Sequence, residues 1–394
     1  MSAKGGGIYG NKKDGEENKN GSQTMDNVPT SAFFNMLMNL AGGMIEKMAA
    51  KPAADDATKV SFSYLDIGGY NYAASRYEKD GTLHPDRVIV GSETLPKNLY
   101  HNWQLVKKFP YVIGDFMWTG WDYLGEAGIG TVRYKSFKNP GQDAPIISAG
   151  CGVIDICGKM RPEVQWNRLI WGLDHTPGIG VEPYTHAGET GSESMWRDTD
   201  AVASWSWAGC EGKKTKVTVY SDGETAELIV NGHSYGRKKT KEYKAVFKRV
   251  VYEPGTITAI SYDGEGKEQS RTSMKTAVGP AELRVVADRS TLQAKTQDLA
   301  YISIDLTGAD GITKSSEDTA VTVEVDGAGT LLALGSARPN MGENFFSDTH
   351  TTYYGKALAV VRGGDAPGKI TVTVKAKGLQ AKTLELENVV TATE

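Results

Sequence analysis

Three cysteines in 394 residues are too few for a disulfide framework. Cys151, Cys157 and Cys210 leave at least one thiol unpaired, and no Cys-x-x-Cys or Cys/His cluster has the spacing of a zinc site. No metal and no cofactor are therefore expected. Cys151 and Cys157 could bridge in an oxidising compartment, and they stand equally well as buried free thiols. An excess of one charge is also lacking. Lys and Arg number 44 against 48 Asp and Glu, a net charge of -4, and the cations are spread along the chain. That pattern excludes the basic footprint of a nucleic-acid partner. No apolar run is long enough to span a bilayer. The opening Met-Ser-Ala-Lys-Gly-Gly-Gly lacks the apolar core of a signal peptide.

What is present is the composition of a globular chain, with 39% hydrophobic residues, 23% charged residues and 46 glycines suited to turns. At about 100–200 residues per domain the length implies two to four domains. Residues 1–29 are polar and read as a loop or disordered segment. From Ser31 to Ala50, Phe33, Phe34, Leu37, Leu40, Ala41, Met44, Ile45 and Met48 follow helical spacing, with Thr30 or Ser31 as a cap. A strand is expected from Phe62 to Tyr72. A second is expected at Arg87–Gly91, whose continuous apolar run fits a parallel strand covered on both faces. A helix over Lys97–Phe109, a strand over Tyr111–Trp118 and a helix over Pro162–Trp171 complete an alternating α/β pattern.

Beyond about residue 198 the apolar period changes to two. Val217–Tyr220, Ala226–Val230, Phe247–Tyr252 and Thr256–Tyr262 read as strands, and Asn231-Gly232 as a tight hairpin turn. After Gly279-Pro280 a second series of alternating strands runs to about residue 374, so two successive sandwiches are expected.

Two stretches carry candidate chemistry. In Gly91-Ser92-Glu93-Thr94 a carboxylate directly follows an apolar strand, the position of catalytic groups in α/β barrels. A glutamate there serves as readily as a helix cap or an ion-pair partner. The run from Gly114 to Glu126 is dense in aromatics and acids. Trp118, Trp121, Asp122 and Glu126 combine flat apolar platforms with acceptors, as a sugar pocket does. The same tryptophans are equally suited to a core, and the acids to capping loops.

GYNY (69–72), HPDRVIVGSET (84–94) and YVIGDFMWTGWDYLGE (111–126) together resemble the C-terminal barrel half of glycoside hydrolase family 2, in particular its β-galactosidase branch. The similarity continues through WSW (205–207), VTVYSD (217–222) and AELIVNG (226–232), then GAGTLLALGSARP (327–339) and YYGKALAVVRGG (353–364). The resemblance implies a multidomain chain: a partial TIM (β/α)8 barrel over residues 30–172, followed by all-β immunoglobulin-like sandwiches over 173–278 and 279–394. It further implies a retaining double displacement on a β-galactoside or related oligosaccharide, with Glu93 as nucleophile. Tyr72 matches the tyrosine that bonds the nucleophile, and Trp118 the platform under the sugar ring. Asn71, Trp121 and Glu126 fall among the substrate contacts.

One element of that pattern is missing. The family's acid/base glutamate follows an asparagine at an earlier strand end, and no such pair precedes Glu93. Met1 therefore reads as an internal position of a longer parent, expected to be periplasmic or secreted, and this chain alone is expected to be inactive. The alternative is a non-catalytic carbohydrate-binding or interaction protein derived from such an enzyme. Neither the oligomeric state nor the sugar is encoded in any pattern read here.

Overall fold

The computed structural model describes residues 47–134, 145–192, 194–340 and 342–390. Of the helix expected over Ser31–Ala50, residues 47–49 are described and helical, and the remainder lies outside the described residues, as does the segment 1–29. The first complete helix, α1 (Pro52–Phe62), opens on a proline whose fixed φ suits the first helical turn.

Three parallel strands follow, β1 (Ile67–Asn71), β2 (Val88–Thr94) and β3 (Val112–Met117), paired in that order. The crossovers carry α2 (Tyr77–Leu83) and α3 (Leu99–Lys108). Tyr70, Tyr77, Ile89 and Val112 form the buried core between sheet and helices, with Leu105, Val106 and Phe109 packed against it. Asp80, on α2, locks the layer by accepting from Tyr70 at 2.5 Å, Arg76 at 2.7 Å and Arg87 at 3.1 Å.

The structure corrects two expectations here. The strand placed at Phe62–Tyr72 begins only at Ile67, because Phe62 closes α1 and stacks on Tyr70 with ring centres 4.9 Å apart. Its aromatic mass seals a helix end rather than continuing a strand. Nor is the sheet covered on both faces among the described residues. Ile89 is fully buried whereas Ile67, Ile113 and Phe116 are exposed, and the alternating burial of β2 is that of a sheet packed on one side. The later helix, α4 (Glu163–Ile170), lies close to its expected place.

The remainder is all-β. β4 (Gly178–Val181), β5 (Lys214–Tyr220) and β8 (Lys244–Val251) make one sheet. It faces a second sheet ordered β10-β9-β6-β7, made of β6 (Thr225–Val230), β7 (His233–Lys239), β9 (Thr256–Tyr262) and β10 (Glu268–Lys275). Their shared core includes Trp205, Trp207, Tyr184, Leu228 and Phe247. Asn231 and Gly232 have φ of 49° and 83°, the positive pair that a type I′ turn requires, and Val230 pairs with His233 across it.

The second sandwich joins the sheet β11-β13-β17-β15 to the sheet β12-β19-β18-β14-β16. Its strands are β11 (Glu282–Ala287), β12 (Thr291–Gln293), β13 (Leu299–Thr307), β14 (Ala320–Gly327), β15 (Gly329–Gly335), β16 (Thr349–Thr351), β17 (Lys356–Gly363), β18 (Gly368–Ala376) and β19 (Lys382–Val389). A separate core of Leu292, Ile302, Val323, Leu334, Val361 and Val372 holds it. All three cysteines are free, Cys151 and Cys210 being buried, so no Cys151–Cys157 bridge forms.

Long connections tie these parts together. Gly125 N–H donates to Ile147 O at 3.0 Å, and Ile147 N–H donates in turn to Pro339 O of the second sandwich at 3.1 Å. Tyr354 meets Trp207 edge-to-face across the two sandwiches.

Candidate active site

The site forms where β1 and β2 end. Glu93 is the penultimate residue of β2, and Asn71 is the last of β1, its register partner. Asn71 Nδ2 donates to Glu93 Oε2 at 3.1 Å, while Ser92 Oγ donates to Asn71 Oδ1 at 2.9 Å and so fixes which way the amide faces. The next residue, Tyr72, takes a positive φ of 52°. That turn lets its N–H reach Glu93 O at 2.8 Å while its hydroxyl donates to Glu93 Oε1. Each carboxylate oxygen thus has its own donor.

Burial pushes the Tyr72 phenol well above its ordinary range, and the Glu93 carboxylate beside it adds to the effect. Tyr72 therefore stays a neutral donor at any working pH. Its oxygen also accepts the Trp196 indole N–H at 2.9 Å.

Trp118 follows β3, and its N–H donates to Thr94 O at 2.8 Å, which brings the ring to the same strand ends. Its indole donates to Tyr123 Oη at 3.1 Å, and Tyr123 donates to Glu126. Tyr72, Trp118 and Tyr123 lie together against a buried cluster of Leu95, Ile129, Ala149, Cys151, Met195 and Trp196. Burial at this floor pushes the Cys151 thiol up to about 12, so it is apolar filling and no nucleophile.

Behind the strand ends sits Asp115. Thr94 Oγ1 donates to its Oδ2 at 3.0 Å, but its Oδ1 is enclosed without a partner, as is the Tyr77 hydroxyl. Both atoms crowd Gly91, where an added Cβ would meet Tyr77 Oη at 2.5 Å and Asp115 Oδ1 at 2.7 Å. Burial pushes the Asp115 carboxyl up to about 6.

The structure thus gathers Glu93, Tyr72, Asn71, Trp118 and Glu126 into one group. It separates the other members of the aromatic run. Trp121 is 56% exposed and lies over Gly158, away from the bonds of the Glu93 group. Asp122 turns inward, accepting from Gly150 N–H at 2.9 Å and Tyr123 N–H at 3.1 Å and meeting Arg161 at 3.4 Å, so it braces a loop. Trp196 had no sequence signal, and Asp115, although inside the run from Gly114 to Glu126, had none of its own. The first lies over 100 positions from Glu93 without a recognisable motif, and the second is one polar residue inside an apolar strand. Among the described residues no group of three or more His, Cys, Asp and Glu side chains is placed to hold a metal ion.

Comparison with known proteins agrees with this architecture. A family model described as glycoside hydrolase family 2 C-terminal domain 5 matches residues 283–385, and a domain of unknown function, DUF4982, matches 212–270. A β-galactosidase of Bacteroides ovatus is 26% identical over 284 residues, covering 72% of this chain and 29% of that protein. The crystal structure of a glycosyl hydrolase family 2 member from Bacteroides cellulosilyticus superposes with a TM-score of 0.75 at 32% identity, over 86% of this chain and 44% of that one. A β-glycosidase from Bacteroides vulgatus, at 19% identity and a TM-score of 0.60, shares the fold over 82% of this chain and 45% of its own. The chain therefore spans less than half the length of these relatives. The C-terminal domain model, the β-galactosidase relative and the glycosyl hydrolase family 2 structure together support membership of the chain in glycoside hydrolase family 2.

Proposed function

We propose that this chain carries the nucleophile half of a retaining β-glycosidase active site of the β-galactosidase type. In this reading residues 30–172 are the C-terminal part of a (β/α)8 barrel, with the sandwiches at 173–278 and 279–394. The observation that carries it is the pair of donors on Glu93. Tyr72 and Asn71 address separate oxygens of a carboxylate at the C-terminal end of a parallel strand, where barrel enzymes keep their catalytic groups. A nucleophilic carboxylate must be held at a fixed angle to the anomeric carbon, and two donors on two oxygens do so.

In the double displacement Glu93 attacks the anomeric carbon as the leaving group departs, forming a glycosyl ester, and water then hydrolyses the ester. The Tyr72 proton stabilises the carboxylate that is released. Trp118, half-buried beside Tyr123, offers its ring to the apolar C–H face of the sugar, and Glu126 is within reach as a hydroxyl acceptor. A galactoside is favoured by the β-galactosidase relative. The acid/base carboxyl, required about 5–5.5 Å from the nucleophile, is assigned to a part of the protein outside this sequence, consistent with the share of each relative that the chain spans.

The test uses an activated 2-deoxy-2-fluoro-β-galactoside, whose leaving group departs without protonation. Incubated with the full chain, it is expected to add one sugar mass on the peptide containing Glu93, and Glu93→Gln to abolish the adduct. Label on Glu126 would overturn the assignment. On an unactivated β-galactoside such as lactose the chain is expected to show no detectable turnover, since protonation of the leaving oxygen and activation of water are both lacking and the acid step alone is worth about 10²–10⁴-fold. Turnover abolished by Glu93→Gln would mean that this sequence contains its own acid/base residue.

A further inference from the structure

We propose that Trp196 is a positioning residue that fixes the direction of the Tyr72 hydroxyl proton, so that it points at Glu93. The inference rests on the nucleophile reading of Glu93 and extends it to a residue outside the α/β layer. An indole N–H only donates, whereas a phenol oxygen both donates and accepts. With Trp196 Nε1 donating to Tyr72 Oη at 2.9 Å, the acceptor side of the phenol is occupied. Its proton cannot face the indole and is left to Glu93 Oε1, the acceptor that it meets.

The indole is held in turn. Trp196 is 6% exposed and meets the Tyr72 ring edge-to-face, with centroids 6.2 Å apart and planes at 86°. Its backbone N–H donates to Ser194 Oγ at 3.1 Å, and Ser194 Oγ donates to Ile129 O at 2.6 Å. A chain of donors therefore runs one way, from a loop between β4 and β5, through Tyr72, to the carboxylate at the end of β2. Without the indole donor the phenol O–H has two in-plane orientations, and only one of them serves Glu93. Loss of direction weakens the stabilisation of Glu93 as it forms and leaves the glycosyl ester, without touching the sugar-binding groups.

Two measurements on the full chain test this. In a 15N spectrum of the eight tryptophan indoles, with the Trp196 resonance identified by its loss in Trp196→Phe, Tyr72→Phe is expected to move that resonance upfield. It should also speed its hydrogen exchange at least tenfold and leave Trp166 and Trp205 unchanged. A Trp196 resonance that does not respond to Tyr72→Phe overturns the relay, and so does an unchanged set of all eight indole resonances in Tyr72→Phe, an outcome that does not require Trp196→Phe to fold. In the second arm, the rate of labelling by the activated fluoro-galactoside is expected to fall about tenfold in Trp196→Phe at unchanged inhibitor affinity, as expected for a weakened bond to a charged group. Trp196→Phe combined with Tyr72→Phe should be no slower than Tyr72→Phe alone. Labelling of Trp196→Phe at the wild-type rate overturns the positioning role. If the indole responds but the wild-type chain is never labelled on Glu93, the nucleophile reading is what fails.

Discussion

Asp115→Asn should stabilise the α/β layer, with a gain that grows from about pH 4 and is complete above about pH 6. The carboxyl of Asp115 is pushed by burial from an ordinary value of 3.8 up to about 6. The folded chain therefore keeps this proton to about pH 6, whereas the unfolded chain releases it near pH 4. Between those values the unfolded state binds fewer protons, so stability falls as pH rises, and above pH 6 the loss is complete. A shift of about two units at about 1.4 kcal/mol each gives an upper bound of about 3 kcal/mol. Asparagine removes that dependence. Its carbonyl still accepts from Thr94 Oγ1, and its amide supplies a donor toward the unpartnered Tyr77 oxygen.

The variant is thus expected to match the parent near pH 4 and to exceed it by up to about 3 kcal/mol at pH 8. Because several separate cores hold this chain, a single melting curve does not isolate the layer. Native-state hydrogen exchange of the Val112–Met117 amides, followed from pH 5 to pH 8, reports it directly. A difference between variants that is constant with pH would refute the reasoning, and so would an Asp115→Asn chain less stable than the parent at pH 8.

Three further outcomes are expected. Gly91→Ala forces a methyl within 3 Å of Tyr77 Oη and Asp115 Oδ1; it should destabilise the layer by about 1–3 kcal/mol, and an unchanged exchange profile of β2 would mean that the space exists. Trp118→Ala should weaken galactose binding by roughly 1–3 kcal/mol, by analogy with stacking of other rings on aromatic side chains; unchanged affinity by calorimetry in a folded variant would return Trp118 to the core. Residues 279–394, with a core of their own and every cysteine before residue 211, should unfold cooperatively as an isolated segment. Absence of a thermal transition would show that the contacts with Trp207 and Ser204 are needed to hold the second sandwich.

The sequence alone determined the elements whose apolar period is unambiguous and the residues that sit in dense local motifs. The strand from Thr256 to Tyr262 lies at its expected bounds, because alternation with one buried face leaves a period-two trace. The Asn231-Gly232 turn was legible because positive φ at two successive positions selects those residues. Polar edge strands left no such trace. In β7 nearly every side chain is exposed, and β10 alternates exposed with half-buried positions, so neither carries an apolar rhythm.

At the site, Glu93, Tyr72 and Trp118 were legible as members of motifs, but their grouping was not. Which tryptophan of a pair three residues apart packs with Tyr72 and Tyr123 depends on the turn after β3, and Trp121 lies instead over Gly158. The direction of Asp122, turned into the loop rather than the pocket, follows from backbone N–H groups that only the fold presents to it. Trp196 and Asp115 belong wholly to the tertiary structure. One is delivered to Tyr72 from a distant loop and the other is made unusual by burial. Hydrogen-bond direction and desolvation are properties of the surroundings of a side chain, and a sequence lists side chains without their surroundings.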